Sequence, residues 1–299
     1  MQKQLTPSTG SWRACAVLIG FAALTLPLMP VQALLLRTSL RGARAFPYWY
    51  HRQVCRLVGI RLHIEGSIER DKPVLVVANH SSWLDIPVLS AVAPVSFVAK
   101  KEVGGWPFVS RLARLQRSVF VDRTRRTAVA DTTSEMAHRL AAGDALVLFA
   151  EGTSTDGNRV LPLRTSLFGA VMPGRDELAP SRGVVQTCAV VYRQLHGLPI
   201  DRAGRSLIGW YGDMEMGRHA WELLKAGPLD VSIRIGPPVA FSAFAGRKQL
   251  ARHAEDQLRE SVVSLLRDRP VNEPVAVSTP AMKTPAALSA QPKISARWT

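Results

Sequence analysis

Cysteine is scarce in this chain: Cys15, Cys55 and Cys188 are the only three in 299 residues, and they lie far apart. Such spacing carries no disulfide framework, and no second histidine stands at ligand spacing from His80, so no metal site is expected. No Gly-x-Ser-x-Gly sequence occurs, which removes the elbow of a serine nucleophile from consideration. No internal repeat stands out. Acidic residues are missing before Glu65, whereas Lys3, Arg13, Arg37, Arg41, Arg44, Arg52, Arg56 and Arg61 all precede it. A formal net charge of +15 admits nucleic acid, anionic lipid or an acidic protein as partner. The basic cluster adjoins the most apolar segment and no nucleic-acid-binding motif is present, so no nucleic-acid partner is expected.

That apolar segment, Ala14 to Leu36, holds no charged residue. It is long enough to cross a hydrocarbon layer of about 30 Å at about 1.5 Å per residue. A secretory leader would have a shorter apolar core and a small-residue cleavage site, so residues 1–60 read as a retained membrane anchor. Pro27 and Pro30 are expected to break it near the middle, leaving a spanning segment or a shallow hairpin folded at the prolines. Tyr48, Trp49 and Tyr50 read as interface aromatics beside arginines that meet anionic head groups. The 47% hydrophobic content fills a proper core for one domain, 61–269. From Pro270 the sequence turns to Pro, Ala, Ser and Thr without periodicity, and 270–299 reads as a disordered tail.

Short apolar runs at Val74–Ala78, Val95–Ala99, Val119–Val121, Ala145–Phe149, Val184–Val191 and Val231–Ile235 predict strands. Segments of helical spacing separate them, notably Thr127–Ala142 and Met216–Ala226. Strands alternating with helices imply an α/β fold with a mostly parallel sheet flanked by helices, preceded by the helical anchor. Chemistry in such sheets collects on loops that leave the carboxyl ends of strands. His80 follows one such strand, Asp122 and Arg123 another, and Glu151, Gly152, Thr153 and Ser154 a third.

Asn79-His80-Ser81-Ser82-Trp83-Leu84-Asp85 places an imidazole in a turn and a carboxylate in the first turn of the following helix. The carboxylate then reaches one ring nitrogen and leaves the other to take a proton. Ser82-x-x-Asp85 also fits a helix-capping box, with His80 a mere loop residue. Arg123 suits an anionic or carboxylate-bearing substrate gripped by two parallel hydrogen bonds, or belongs to a solvated run with Arg125 and Arg126. Gly152, Asp156 and Gly157 are turn formers. Glu151, at the mouth of a buried strand, needs a partner, either Arg123 or a substrate hydroxyl or amine. Lys100, Lys101, Arg159 and Arg164 add positive charge to neighbouring loops, mostly as surface groups; those facing the cleft would steer an acidic carrier protein or the phosphates of coenzyme A.

Together these motifs resemble the glycerolipid acyltransferase family, typified by 1-acylglycerol-3-phosphate acyltransferase. The family's His-x4-Asp block falls on His80 and Asp85, its Phe-x2-Arg block on Phe120 and Arg123, and its Glu-Gly-Thr block on Glu151, Gly152 and Thr153. The similarity runs from Val54 to Pro238. The chain departs from the pattern at Arg117, where the family often has Gly, at Thr187, where it usually has Pro, and at Arg164, where it has Lys. Glu151 to Pro162, Leu195 to Pro199 and Trp210 to Met214 look like the bacterial subgroup acting on lyso-ornithine lipid.

The resemblance implies a membrane-bound transfer of a fatty acyl group to the free hydroxyl of a lysolipid, lyso-ornithine lipid first and lysophosphatidic acid as the alternative. A non-catalytic binder of lipid or carrier protein is the remaining alternative. The donor would be a thioester of acyl carrier protein or coenzyme A, with no cofactor. His80 and Asp85 would be catalytic, and Arg123, Glu151, Gly152 and Thr153 would hold the acceptor head group. It also implies the inner face of a bacterial cytoplasmic membrane.

Overall fold

A computed structural model describes residues 9–100, 104–121, 126–172 and 182–268. In chain order the elements are α1 (Thr9–Thr38), α2 (Leu40–Val58), β1 (Ile60–Glu65), β2 (Val74–Ala78), α3 (Asp85–Ser90), β3 (Val95–Lys100), α4 (Pro107–Leu115), β4 (Val119–Val121), α5 (Arg126–Ala141) and β5 (Ala145–Leu148). They continue with β6 (Val184–Leu195), β7 (Leu198–Pro199), α6 (Arg202–Ile208), α7 (Met216–Ala226), β8 (Leu229–Ile235), β9 (Val239–Ala240) and α8 (Arg247–Arg267). The strands form one sheet in the order β1-β8-β6-β2-β5-β3-β4, with β7 and β9 paired to β6. Neighbours from β6 through β4 are parallel, and β8 is antiparallel to β6 and parallel to β1. The expected α/β architecture is therefore present.

Parallel strands with helices on both faces are apolar at successive positions rather than alternate ones. In β2 every residue is buried: Val74, Val76 and Ala78 face a core closed by α1, α2, α3 and α7, and Leu75 and Val77 face a core closed by α5 and α8. Among the elements that the sequence patterns did not mark are β1 and α8. In β1, an edge strand, only Ile60 is fully buried, so no apolar run marks it. Helix α8 buries Leu250, Ala254, Leu258, Ser261 and Leu265, a stripe at helical spacing diluted by charge on its other face.

The N-terminal segment departs from expectation. Pro27 and Pro30 lie inside α1, which runs unbroken through both, although an interior proline removes a helical hydrogen bond and costs about 3 kcal/mol. Tertiary contacts offset that cost. Thr25 Oγ1 bonds the Tyr50 hydroxyl at 2.7 Å, and Gln32 Nε2 donates to the carbonyls of Ala43 and Leu115 at 2.9 and 2.8 Å. The Arg13 guanidinium donates to the carbonyls of Leu224 and Val58. The chain turns back at Ser39, whose hydroxyl caps α2 by accepting from the Gly42 N–H at 3.1 Å. Of the three expected interface aromatics, Trp49 is exposed, Tyr48 carries Arg52 at 2.7 Å and Tyr50 turns inward to Thr25. The expected tail, 270–299, lies outside the described residues.

At the amino end of β5, Asp144 ties the second helix to the sheet. Its carboxylate accepts from Arg44 of α2 at 2.6 Å, from both terminal nitrogens of Arg117 at 3.0 and 2.8 Å, and from Arg139 of α5 at 2.5 Å. Burial alone would raise this carboxyl, and the guanidiniums of Arg139, Arg117 and Arg44 outweigh it and hold it below the usual range. Arg117 adopts φ +60°. That is the left-handed region glycine favours, which gives the physical sense of the family's glycine here; in this chain the fork to Asp144 holds the arginine there. Replacing Asp144 by Ala leaves three guanidiniums without their buried counter-charge. A loss of about 3–5 kcal/mol in unfolding free energy is expected, measurable by denaturant titration in detergent.

Candidate active site

The site begins where β2 ends. The Asn79 side chain extends the β2–β6 ladder by one rung, its amide donating to the Val190 carbonyl at 2.9 Å and accepting from the Val190 N–H at 2.8 Å. The chain then leaves the sheet as His80, Ser81 and Ser82, and α3 starts at Asp85. Asp85 is fully buried. Its Oδ2 accepts from the backbone N–H of Ser81 at 2.8 Å, from that of Ser82 at 3.0 Å and from His80 Nδ1 at 2.8 Å. Of the capping box only the Asp85 half is formed, since α3 has Leu84 at its N-cap and no side-chain cap bond; the bonds back to Ser81 and Ser82 aim the carboxylate at the imidazole. A carboxylate acceptor requires the proton on Nδ1, which leaves the Nε2 lone pair free.

The imidazole stacks on Phe149 with ring centroids 4.1 Å apart and planes at 18°, and Phe149 stacks on Phe97. The His80 side chain is 19% exposed, so it reaches the surface by one edge. Its loop is held from other elements as well. The Thr155 N–H donates to the His80 carbonyl at 2.9 Å, and the Trp210 N–H donates to the Ser81 carbonyl at 2.8 Å.

Glu151 joins the β5 loop to the β2 loop, with a result the sequence did not foretell. One carboxylate oxygen accepts from the His80 N–H at 2.9 Å and the other from the Leu161 N–H at 2.8 Å. At 3% exposure the group has both oxygens engaged by backbone donors. Burial pushes its carboxyl up to about 7, against the lowering effect of those N–H groups and of His80. Gly152 turns the chain at φ +81° and is buried, while Thr153 is exposed beside it. Arg123 lies outside the described residues; β4, which precedes it, ends at Val121. A cavity of about 110 Å³ at this edge is lined by Val121, Phe149, Gly152, Arg164 and Ser166 among others.

One partner was missed. The Tyr192 hydroxyl donates to Asp85 Oδ1 at 2.7 Å, with the residue 4% exposed. The available signal was a phenol closing an apolar strand in a chain with four tyrosines, since a buried tyrosine hydroxyl needs a partner.

The Glu151 geometry carries a pH signature. A carboxyl that titrates near 7 when folded and near 4.5 when unfolded holds its proton in the folded state after the unfolded chain has lost it. Stability therefore declines as pH rises from about 4.5 through 7, by up to ~1.4 kcal/mol per pH unit. Glu151→Gln is expected to flatten that slope in urea unfolding across this range, and to lower stability by about 1–3 kcal/mol because one backbone N–H then faces an amide NH2.

A family model described as Acyltransferase matches residues 59–206. The lyso-ornithine lipid O-acyltransferase of Brucella abortus is 45% identical over 264 residues, which cover 88% of this chain and 99% of that protein. The Rhizobium meliloti protein of the same name is 40% identical over 255 residues, covering 85% of this chain and 87% of that one. The crystal structure of a 1-acyl-sn-glycerophosphate acyltransferase from Thermotoga maritima superposes with a TM-score of 0.62 at 21% identity, covering 88% of this chain and 97% of that one, and so shares the fold. A histidine whose ring is set by a buried aspartate, on a fold common to acyl-transferring enzymes, agrees with these matches, and the chain belongs to the acyltransferase family.

Proposed function

We propose that this acyltransferase esterifies the free hydroxyl of a lysolipid, with lyso-ornithine lipid as its acceptor and a thioester of acyl carrier protein or coenzyme A as its donor. The observation that carries the mechanism is His80, with Nδ1 committed to buried Asp85 at 2.8 Å and one edge of the ring exposed. Nε2 takes the proton from the acceptor hydroxyl as its oxygen attacks the thioester carbonyl. The new ester C–O bond forms, the C–S bond breaks, and the proton passes from Nε2 to the departing thiolate. Asp85 holds the tautomer and stabilises the imidazolium formed on the way. Ser81 and Ser82 are buried and hold Asp85 through their backbone N–H groups.

Head-group binding falls to the loops at the same edge. Thr153 is exposed there, and Arg123 follows β4 in the sequence; Arg123 would take the ornithine carboxylate by a two-bond fork. Glu151 and Gly152 shape the loop, and Glu151 positions His80 through its backbone N–H. Lys100, Arg159 and Arg164 are exposed around this end of the sheet, a basic rim suited to an acidic carrier or to coenzyme A phosphates. The lyso-ornithine acceptor rests on the two relatives that share most of their length with this chain. Lysophosphatidic acid is the second reading, favoured by the shared fold of the Thermotoga maritima enzyme, with Arg123 on the phosphate.

Among the described residues one helix, Gly10–Thr38, is long and apolar enough to cross a membrane. In α1 the inner face is packed on the domain while Trp12, Ile19, Leu26 and Leu34 are exposed. Such a helix, folded back on α2, suits a protein lying in one leaflet at the cytoplasmic face of the inner membrane. The exposed Arg37, Arg41, Arg52 and Arg56 would each add about 1 kcal/mol against anionic lipid.

Acyl transfer from labelled acyl carrier protein to lyso-ornithine lipid and to lysophosphatidic acid, side by side in detergent, tests the acceptor. The ornithine lipid is expected to be preferred, and His80→Ala to cost ~10²–10⁴ in turnover through loss of the general base; near-normal turnover in that variant would sink the mechanism. In membrane fractions the protein is expected to resist a high-salt wash and to come off with detergent. Release by salt alone would leave only the electrostatic attachment.

A further inference from the structure

β6 is buried without interruption from Val184 to Tyr192. Cys188, Val190 and Tyr192 face the core that also holds Phe149 and Leu84. Directly after Tyr192 the β6–β8 register shifts, between Tyr192 and Gln194, and the strand becomes partly exposed. Irregularities of this kind recur beside active sites. Tyr192 is therefore the last buried rung of the strand, and its hydroxyl ends 2.7 Å from Asp85 Oδ1.

The two oxygens of Asp85 are held by different parts of the fold. Oδ2 is fixed by its own loop, through Ser81, Ser82 and His80. Among the described residues, Tyr192 is the hydrogen-bond donor to Oδ1. With one oxygen bound to the loop and the other to the sheet, the carboxylate plane cannot rotate about its Cβ–Cγ bond without breaking one set. The Tyr192 donor also draws charge toward Oδ1 and away from the oxygen that faces the imidazole.

We propose that Tyr192 is a positioning residue of this enzyme: acting through Asp85, it fixes the His80 ring and sets how readily that ring takes up a proton. This rests on the reading of His80 as general base. Around the dyad the other titratable groups among the described residues are Glu151 against the His80 backbone, Cys188 beside Asp85 on β6, and Cys55 of α2 near the phenol. Burial, and then the Asp85 charge, push the Cys188 thiol up to about 12, so it stays neutral at working pH. Burial and the same charge push the Tyr192 phenol well above its ordinary value, so it remains a donor.

The test titrates the His80 imidazole by NMR, assigned through its loss in His80→Ala, in the full-length wild type, in Tyr192→Phe and in protein carrying 3-fluorotyrosine at position 192. Losing the donor concentrates charge on the oxygen facing the ring and favours the imidazolium. The midpoint in Tyr192→Phe is expected to move to higher pH by about half a unit. The fluorinated phenol, a stronger donor, is expected to move it to lower pH. With acyl carrier protein thioester and lyso-ornithine lipid as substrates, turnover in Tyr192→Phe should fall about 10-fold with KM within about twofold, and the acid limb of its pH profile should follow the midpoint.

An unchanged midpoint and turnover in folded Tyr192→Phe would overturn the proposal. If that variant does not fold, the fluorotyrosine protein decides: a shift to lower pH supports the role and no shift refutes it. Inactive His80→Ala together with wild-type behaviour of Tyr192→Phe removes only the Tyr192 role, whereas active His80→Ala removes the base reading on which it stands.

Discussion

A carboxylate with no solvent contact must be matched by donors inside the protein, and among the described residues Asp85 has four of them within 3.0 Å. An unmatched charge at this depth would cost several kcal/mol, so loop, helix and sheet are all arranged around it. The first turn of α3 supplies the carboxylate, the His80–Ser82 loop supplies two backbone N–H groups and the ring, and β6 supplies the phenol. The histidine is placed as a consequence of satisfying the aspartate. That order of causes explains how a side chain on a loop is held as firmly as one on a strand.

The parallel sheet does the rest of the assembly. β2 and β5 are adjacent and run the same way, so their carboxyl ends open onto the same edge and the residues after them meet. Glu151 uses that adjacency to grip the His80 backbone, and Phe149 uses it to floor the imidazole. Burial of Glu151 carries an electrostatic cost, visible in its raised carboxyl, and two backbone donors offset part of it. The brace is thus tight and also sensitive to protons.

At the opposite, amino end of β5, Asp144 gathers three arginines and ties α2 to the sheet. α1 folds back over α2 and is fixed by polar bonds from Thr25, Gln32 and Arg13. The apolar N-terminal pair is therefore part of the same body as the site. For an enzyme whose acceptor and product are both amphiphiles, this arrangement would set the height of the cleft relative to the lipid.

Much of this was legible in the sequence because it rests on local rules. Apolar runs marked β2 through β6 and β8, since strands covered on both faces are apolar at most positions, with Ser96, Gln186 and Ser232 among the buried polar exceptions. The spacing of His80 and Asp85 already put the imidazole in a turn and the carboxylate in the first turn of the next helix, within reach of each other, and Glu151 after a buried strand already demanded a partner. What the partner was, and that α1 survives two prolines, depended on contacts between residues distant in sequence. The Tyr192–Asp85 bond spans 107 positions and the Glu151 grip on His80 spans 71. By itself, the sequence determined which groups had to be satisfied once buried, because burial and hydrogen-bonding capacity are properties of residue types. Only the tertiary structure decided which group satisfies which, because that is set by strand order and by the edge on which the loops converge.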